Sequence, residues 1–422
     1  MLAHQLTFSP ELDEGFFREL PAAPAVFLLR GSSGHGVPGS ELEPYVSKTA
    51  NLRRRLERLL SAPAEKSKRL NLRDRVGEIE FTPTGSDFES QFLLYRVLRE
   101  TFPKTYARRL RLRPAPLIKL HLENEYPRAS VTTRLGGGHR REVGRTRASP
   151  VQPGRSGTDD GALRAATGNL YYGPFASRAG AEKFASDVLD FFKMRRCVED
   201  LAPDPSFPGC VYSEMKMCLA PCFQGCTDAE YQAEVARVRS FFDTAGGSLE
   251  REFAEQRDRA SADLAFEEAA ASHHRIEKLK PLLAQLPEIV RRIDLLDALI
   301  VQRAAEPGSV ALFRFHHAAL SGPVMFPIAL GGESRSIESR IEELITGFPV
   351  AQTKSAGERT EQLAILKRWY YRSSRLGEIF FADERGSWPL RRIVRGIGRV
   401  FQGEKAQEQR IFSATDHPAA PS

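Results

Sequence analysis

The cysteines of this chain fall at Cys197, Cys210, Cys218, Cys222 and Cys226, separated by twelve, seven, three and three residues. Buried structural cysteines have no reason to cluster in this way. An odd number of thiols argues against a closed disulfide framework. So does the N-terminal run MLAHQLTFSPELDEGFF, which has no basic stretch leading into an apolar one and sets the expectation of a cytoplasmic protein. Metal ligation fits better: thiolates suit zinc and iron–sulfur clusters, and short spacings let one loop wrap one centre. Lys193, Arg195, Arg196 and Lys216 lie close by in the sequence and would stabilise thiolates. Spacing alone does not separate zinc from iron–sulfur, and redox-active or inert thiols remain the alternative.

The second chemistry is that of phosphate. The chain carries a formal charge of +7 over 422 residues, and its cations are bunched. From Asn51 to Arg75 there are nine Lys or Arg against three acids, and from Arg96 to Arg113 seven against one. Cations grouped in this way displace condensed counterions from a nucleic-acid backbone, a source of sequence-independent affinity. The plainer reading of either group is a solvated helix face. No run of eighteen apolar residues occurs, so no membrane-spanning helix and no membrane partner are expected.

The elements that must carry these groups follow from periodicity. Residues 19–113 read as a small α/β unit. Val26–Arg30 and Pro44–Lys48 are strands joined by a loop containing Ser32, Gly34, Gly36, Pro38 and Gly39. Leu52, Leu56, Leu59 and Leu60 recur at helical spacing behind a row of arginines, and Val76–Thr84 alternates as a strand. Ser86 opens a helix as its N-cap with Glu89 as capping-box partner, and that helix ends near Pro103. Residues 114–134 supply two connecting strands and 135–168 a flexible linker without periodicity. A cysteine-rich unit spans 169–227, beginning with a helix over Ala179–Met194. A helical region spans 228–286, an α+β region 287–405, and a disordered tail 406–422. The fold class is α+β.

The stretch RRCVEDLAPDPSFPGCVYSEMKMCLAPC resembles the cysteine segment of the UvrC excinuclease family. Three other segments resemble the same family in the same order: PLIKLHLENEYPRASVT, NLYYGPFASRAGAEKF and LAFEEAAASHHRIEKL, the last being similar to the UVR motif. The resemblance covers about residues 20–285, the N-terminal half of such proteins. It implies a GIY-YIG nuclease domain first, then a 4Fe–4S cluster on Cys197, Cys210, Cys218 and Cys222, with Cys226 outside the set and zinc as the alternative occupant. It implies a UVR-like helical hairpin contacting UvrB through residues 261–280. It also implies DNA as the substrate, in nucleotide excision repair.

The resemblance implies, too, where the nuclease should keep its machinery. GIY-YIG domains use a tyrosine from each half of the name motif, a basic helix, and a glutamate that holds a divalent metal. The metal and an arginine offset charge on the phosphorane, and a tyrosine oxygen positions the water. Here Tyr45 holds the second tyrosine position, and Lys48, Asn51 and Arg53 match the Lys-x-x-Asn-Leu-Arg run, with Arg54 beside them as a further DNA contact. Three positions depart: Phe27 replaces the first tyrosine, Ser47 the final glycine, and Leu94 the metal-binding glutamate. No Asp or Glu occurs in 90–99, so a small shift of alignment restores no ligand. The implied protein is a Cho-like short homologue that binds DNA with weak or no phosphodiesterase activity. Its rival is an active endonuclease using Tyr45, Lys48 and Arg53 with Mg²⁺ or Mn²⁺ on another acid. A third reading is a metal-cluster scaffold unrelated to DNA. In the UVR-like segment His273-His274 stands where the family has Arg-Asp. Further on, Trp369, Tyr370 and Tyr371 could stack on bases, or Leu363, Leu366 and Trp369 could form the buried face of a helix.

Overall fold

The computed structural model describes residues 2–11, 14–31, 43–62, 70–136, 168–199, 201–328, 335–349 and 355–404. The loop read at Ser32–Gly39, most of the linker and the C-terminal tail lie outside them. The chain forms two compact units, one from the described residues of 1–113, 297–352 and 364–407, the other from those of 114–296 and 353–363. Every strand pairing among the described residues is antiparallel, as expected of an α+β chain.

The first unit holds two four-stranded sheets. One is built from β1 (His4–Thr7), β2 (Ala25–Gly31), β3 (Tyr45–Thr49) and β4 (Val76–Pro83) in the order β1-β4-β2-β3. Side chains alternate across it. Ala25, Phe27 and Leu29 of β2, with Ile79 and Phe81 of β4, face α2 (Leu52–Leu60), whose Leu52, Leu56, Leu59 and Leu60 are all buried against them. Those four leucines share a face because 3.6 residues make a turn, which is why the sequence pattern located this helix. Asn51 caps it, its side chain accepting from the Arg54 N–H. The opposite sheet face meets α3 (Asp87–Thr101), started by Ser86, whose hydroxyl accepts from Glu89 N–H. Glu89 completes the turn one residue earlier than a capping box would, accepting from Gly85 N–H at 2.8 Å. Its carboxyl is buried, and burial pushes its pKa up.

The second sheet of this unit comes from the C-terminal region: β9 (Asp297–Arg303), β10 (Ser309–His316), β11 (Ala319–Pro327) and β12 (Glu378–Phe381), in the order β11-β10-β9-β12. The helices α10 (Ile337–Thr346) and α12 (Leu390–Gln402) cover it through Ile341, Ile345, Ile393, Ile397 and Val400. This region does not stand apart from the N-terminal sheet. Phe88 of α3 packs edge-on against Phe313 of β10, with centroids 5.0 Å apart, and against Trp369 at 5.1 Å. Phe92 also meets Phe313.

The second unit is built on the sheet β6-β5-β7-β8, formed by β5 (Leu117–Leu120), β6 (Ala129–Thr132), β7 (Leu170–Gly173) and β8 (Arg291–Arg292). Of the two strands read as connectors, β5 is therefore central in a sheet and β6 forms its edge. α5 (Arg178–Leu189) packs on it through Ala181, Phe184, Val188 and Leu189. It stops five residues before the Met194 end expected from sequence, and the chain then turns into the cysteine segment with Phe192 and Met194 buried. α7 (Asp228–Asp243), α8 (Gly247–Ala262) and α9 (Phe266–Ala284) follow.

Candidate functional site

The cysteine segment is anchored before its first thiol. Arg195 is 2% exposed and reaches three ways. Its Nε donates to Tyr126 O at 2.9 Å, and its Nη1 donates to Glu199 O at 2.8 Å and to Cys197 Sγ at 3.4 Å. Its backbone N–H donates to the Tyr231 hydroxyl, which itself donates to Pro127 O at 2.8 Å. Lys193 N–H is held by the buried Glu234 of α7. The Tyr126-Pro127 turn between β5 and β6 on one side and α7 on the other thus fix where Cys197 begins. No carboxylate among the described residues meets the Arg195 guanidinium. A buried cation without an anion costs several kcal/mol, and the thiol is the acceptor beside it that can become one. Arg196, also read as a thiolate neighbour, pairs instead with Asp190 at 2.8 Å.

Cys197, Cys210, Cys218 and Cys222 are mutual electrostatic neighbours. Burial pushes the Cys218 thiol up to about 11, opposed by an N–H donated from Ala220, and the other three thiols push the same way as burial. Cys222 is raised by burial and by Cys210. Cys226 is raised by burial, then by Glu230 and Asp228 of α7, and last by Cys222. The loop between them bends through Lys216, Ala220 and Gln224, all with positive φ near +56° to +59°. Non-glycine residues adopt that conformation at a cost, and such strain gathers at functional loops. As placed, no three His, Cys, Asp or Glu side chains among the described residues stand close enough to hold an ion. What fits a thiolate-bound metal is the chemistry of the donors: four thiols within electrostatic reach of one another, an N–H donated to Cys218 Sγ at 3.3 Å, and a buried cation at Cys197.

In the first unit the residues expected to cleave DNA do not converge. Phe27 pairs with Ser47 across β2 and β3, and Val26 with Lys48. Phe27, Ser47 and Tyr45 therefore lie on the α2 face of the sheet and Lys48 on the α3 face. The Phe27 ring is fully buried. The Tyr45 hydroxyl accepts from Arg55 Nη2 at 2.8 Å rather than from Arg53. Arg53 donates through Nε to Leu20 O at 2.8 Å. Lys48 Nζ bonds Asp87 Oδ1 at 2.6 Å, and Arg372 Nη1 bonds the other oxygen at 2.6 Å. Burial alone would raise the Asp87 carboxyl, but the hydrogen bonds and charges of Lys48 and Arg372 hold it below the usual carboxylate range. Leu94, half-buried on α3, stands on the Lys48 side of the sheet, away from Phe27. Of the four expected DNA contacts, Asn51 caps a helix, Lys48 and Arg53 are engaged within the fold, and Arg54 projects into solvent. Asp87 and Arg372 carried no sequence signal as a pair, because 285 residues separate them.

Comparison with known proteins bears on this arrangement. Residues 155–241, which include all the cysteines, match the family model for the UvrC/Cho excinuclease middle domain. The chain is 25% identical over 293 residues to "UvrABC system protein C" of Rickettsia canadensis, an alignment covering 69% of this chain and 41% of the relative. It is 23% identical over 370 residues to the protein of the same name from Hydrogenovibrio crunogenus, covering 86% and 54%. To that of Idiomarina loihiensis it is 26% identical over 267 residues, covering 63% and 37%. The chain is thus similar to proteins of the UvrC family, through the middle-domain match and through alignments over most of its length. It spans about half or less of the length of these curated relatives. No solved structure matches it.

The remaining UvrC-like segments take these positions. The stretch 261–280 is not one helix: α8 ends at Ala262, Leu264 turns with φ +59°, and α9 starts at Phe266. The two helices pack as a hairpin. Ile276 and Leu279 are buried, His273 and His274 are exposed, and at the turn Leu264 and Phe266 are 70% and 67% exposed. Trp369 is buried against Phe88 and donates to Leu376 O at 2.9 Å, so it is a core residue and not a stacking platform. No described helix is long and apolar enough to cross a membrane.

Proposed function

We propose that this UvrC-like chain is a DNA-repair protein of the nucleotide excision type. In this reading it binds DNA and carries a thiolate-ligated metal centre, 4Fe–4S in preference to zinc, on Cys197, Cys210, Cys218 and Cys222. Its GIY-YIG-like domain serves as a binding domain and not as a nuclease. The observation that carries the last point is Leu94 where a carboxylate is needed, together with a fully buried Phe27 that has no hydroxyl. Without the carboxylate no metal is held against the phosphate, and without the phenol one water-positioning group is lost. When bound, an iron–sulfur centre would cross-link the chain from Cys197 to Cys222. Arg195 would offset its charge, and the Tyr126-Pro127 turn would fix its entry.

DNA affinity in this domain then rests on exposed members of the basic run, of which Arg54 is the one beside the motif residues expected at the DNA. Arg54→Ala is expected to reduce the slope of log affinity against log salt for duplex DNA by about 0.9, the share of one neutralised phosphate. Arg53→Ala should instead lower the melting temperature, because Leu20 O loses its donor. Fluorescence anisotropy over a salt series and thermal unfolding separate the two. An unchanged slope in Arg54→Ala would assign that side chain to bare solvation.

The hairpin turn is the proposed contact for UvrB. A helix pair that buries Ile276 and Leu279 yet leaves Leu264 and Phe266 in water has apolar area to cover. Phe266→Ser should abolish co-elution with UvrB while leaving the fold intact. Undiminished co-elution would move the partner elsewhere or dismiss it.

A further inference from the structure

We infer that α12 is a second docking surface for duplex nucleic acid, reading its phosphate backbone. The inference rests on the DNA-binding function proposed above and adds a site to it. α12 reads LRRIVRGIGRVFQ: four arginines and no acid in thirteen residues. Most of its apolar side is used. Ile393, Ile397 and Val400 are buried in the core with Leu299, Val301, Leu312 and Phe380. Gly396 lies so close to the Phe380 ring and Glu378 that any side chain would collide with them. The helix is therefore a fixed part of the fold, and Phe401 at its end is a single exposed apolar side chain rather than an apolar face to place in a lipid surface.

The outward side is what remains. Arg399 is the arginine committed inward, both its Nε and Nη2 bonding Glu378 at 2.6 and 2.7 Å, with that carboxylate 4% exposed. Glu404, just past the helix, also acts on Arg399. Arg391 and Arg395 are exposed, and no acid is bonded to either among the described residues. They lie at i and i+4, so they share a face, about 6 Å apart along the axis. Successive phosphates of one strand are spaced about 3.4 Å along a duplex, so two of them come within reach of the pair.

Gly398 is the third observation. At i+7 from Arg391 it lies on the same stripe, and a Cβ added there would meet nothing within 4 Å. Glycine in the middle of a helix is less favourable than alanine, and here no neighbour in the fold requires it. Gly396, two residues away, has such a neighbour and Gly398 does not. A bare backbone beside two free guanidinium groups lets a phosphate chain approach the helix closely.

The test uses the full chain and a labelled duplex across a salt series. Arg391→Gln with Arg395→Gln should leave the melting temperature unchanged and reduce the salt slope by about 1.8, two phosphates at about 0.9 each. Gly398→Ala should raise the melting temperature and weaken binding, opposite directions that a purely structural role could not produce. Failure of the wild-type chain to bind duplex DNA would remove the broader DNA-binding reading and this site with it. Wild-type binding with an unchanged slope in the double variant would overturn this inference alone.

Discussion

Arg195→Met is expected to leave the proposed centre in the cysteine segment without metal and to destabilise the unit around it. The guanidinium is buried, has no carboxylate partner among the described residues, and spans Tyr126 O, Glu199 O and Cys197 Sγ. Methionine fills part of the volume but leaves the buried Tyr126 carbonyl without a donor, at about 1–3 kcal/mol. It also removes the charge that offsets the thiolates; leaving a buried charge unpaired typically costs about 3–5 kcal/mol. The anaerobically purified wild-type chain should be brown with about four irons, and Arg195→Met should be colourless, with a much lower melting temperature. Arg195→Lys keeps the charge but not the planar fork, so it should fall between them. Full iron content in Arg195→Met would sink the counter-charge role. A colourless wild-type chain with one zinc would replace the cluster by a zinc site, and a metal-free one would remove the centre altogether. Cys226→Ser should keep the metal, since Cys226 lies outside the proposed ligand set and its strongest charged neighbours are Glu230 and Asp228.

The purified chain, given Mg²⁺ or Mn²⁺ and damaged duplex DNA, should leave both strands uncut, with or without UvrB. Losing a metal ligand and a water-positioning phenol removes groups of a kind worth roughly a hundredfold or more each in rate. The fold makes the loss hard to reverse. Phe27 sits fully buried among Ala25, Leu29, Leu52 and Leu56, and Phe27→Tyr would place a hydroxyl there at about 1–3 kcal/mol unless it found a partner. Leu94 and Lys48 are on the other side of the sheet. Even Leu94→Glu combined with Phe27→Tyr should therefore stay silent on a denaturing gel. Metal-dependent incision by the unaltered chain, abolished by Lys48→Ala with Arg53→Ala, would show that the domain is a nuclease using an acid not identified above.

Much of this was legible in the linear sequence because it is local. The α2 leucines repeat at helical spacing, Ser86 stands three residues before Glu89, and the cysteines lie within one short stretch. Each depends on groups a few residues apart, where backbone geometry sets who meets whom. The UvrC likeness was local too, carried by short motifs in order. Phe27 and Leu94 could be flagged as departures because one residue type cannot do another's chemistry, whatever its surroundings.

What the sequence left undecided are meetings between distant segments. Strands β5 and β6 read as connectors because a short alternating run says nothing of its partner; β7 arrives from Leu170, pairs with β5 and makes it central, with β6 at the edge. Trp369 was ambiguous between base-stacking and core until Phe88 packed against it. Lys48 read as a free phosphate ligand, and only the fold brings Asp87 and Arg372 to it. The Arg195 guanidinium gains its meaning from Tyr126, which lies 69 residues earlier. Hydrogen bonds and charge pairs act over a few ångströms of space and are blind to chain separation. Residue types therefore fixed which chemistry was available, and tertiary packing decided which of those groups are already taken and which still face a partner.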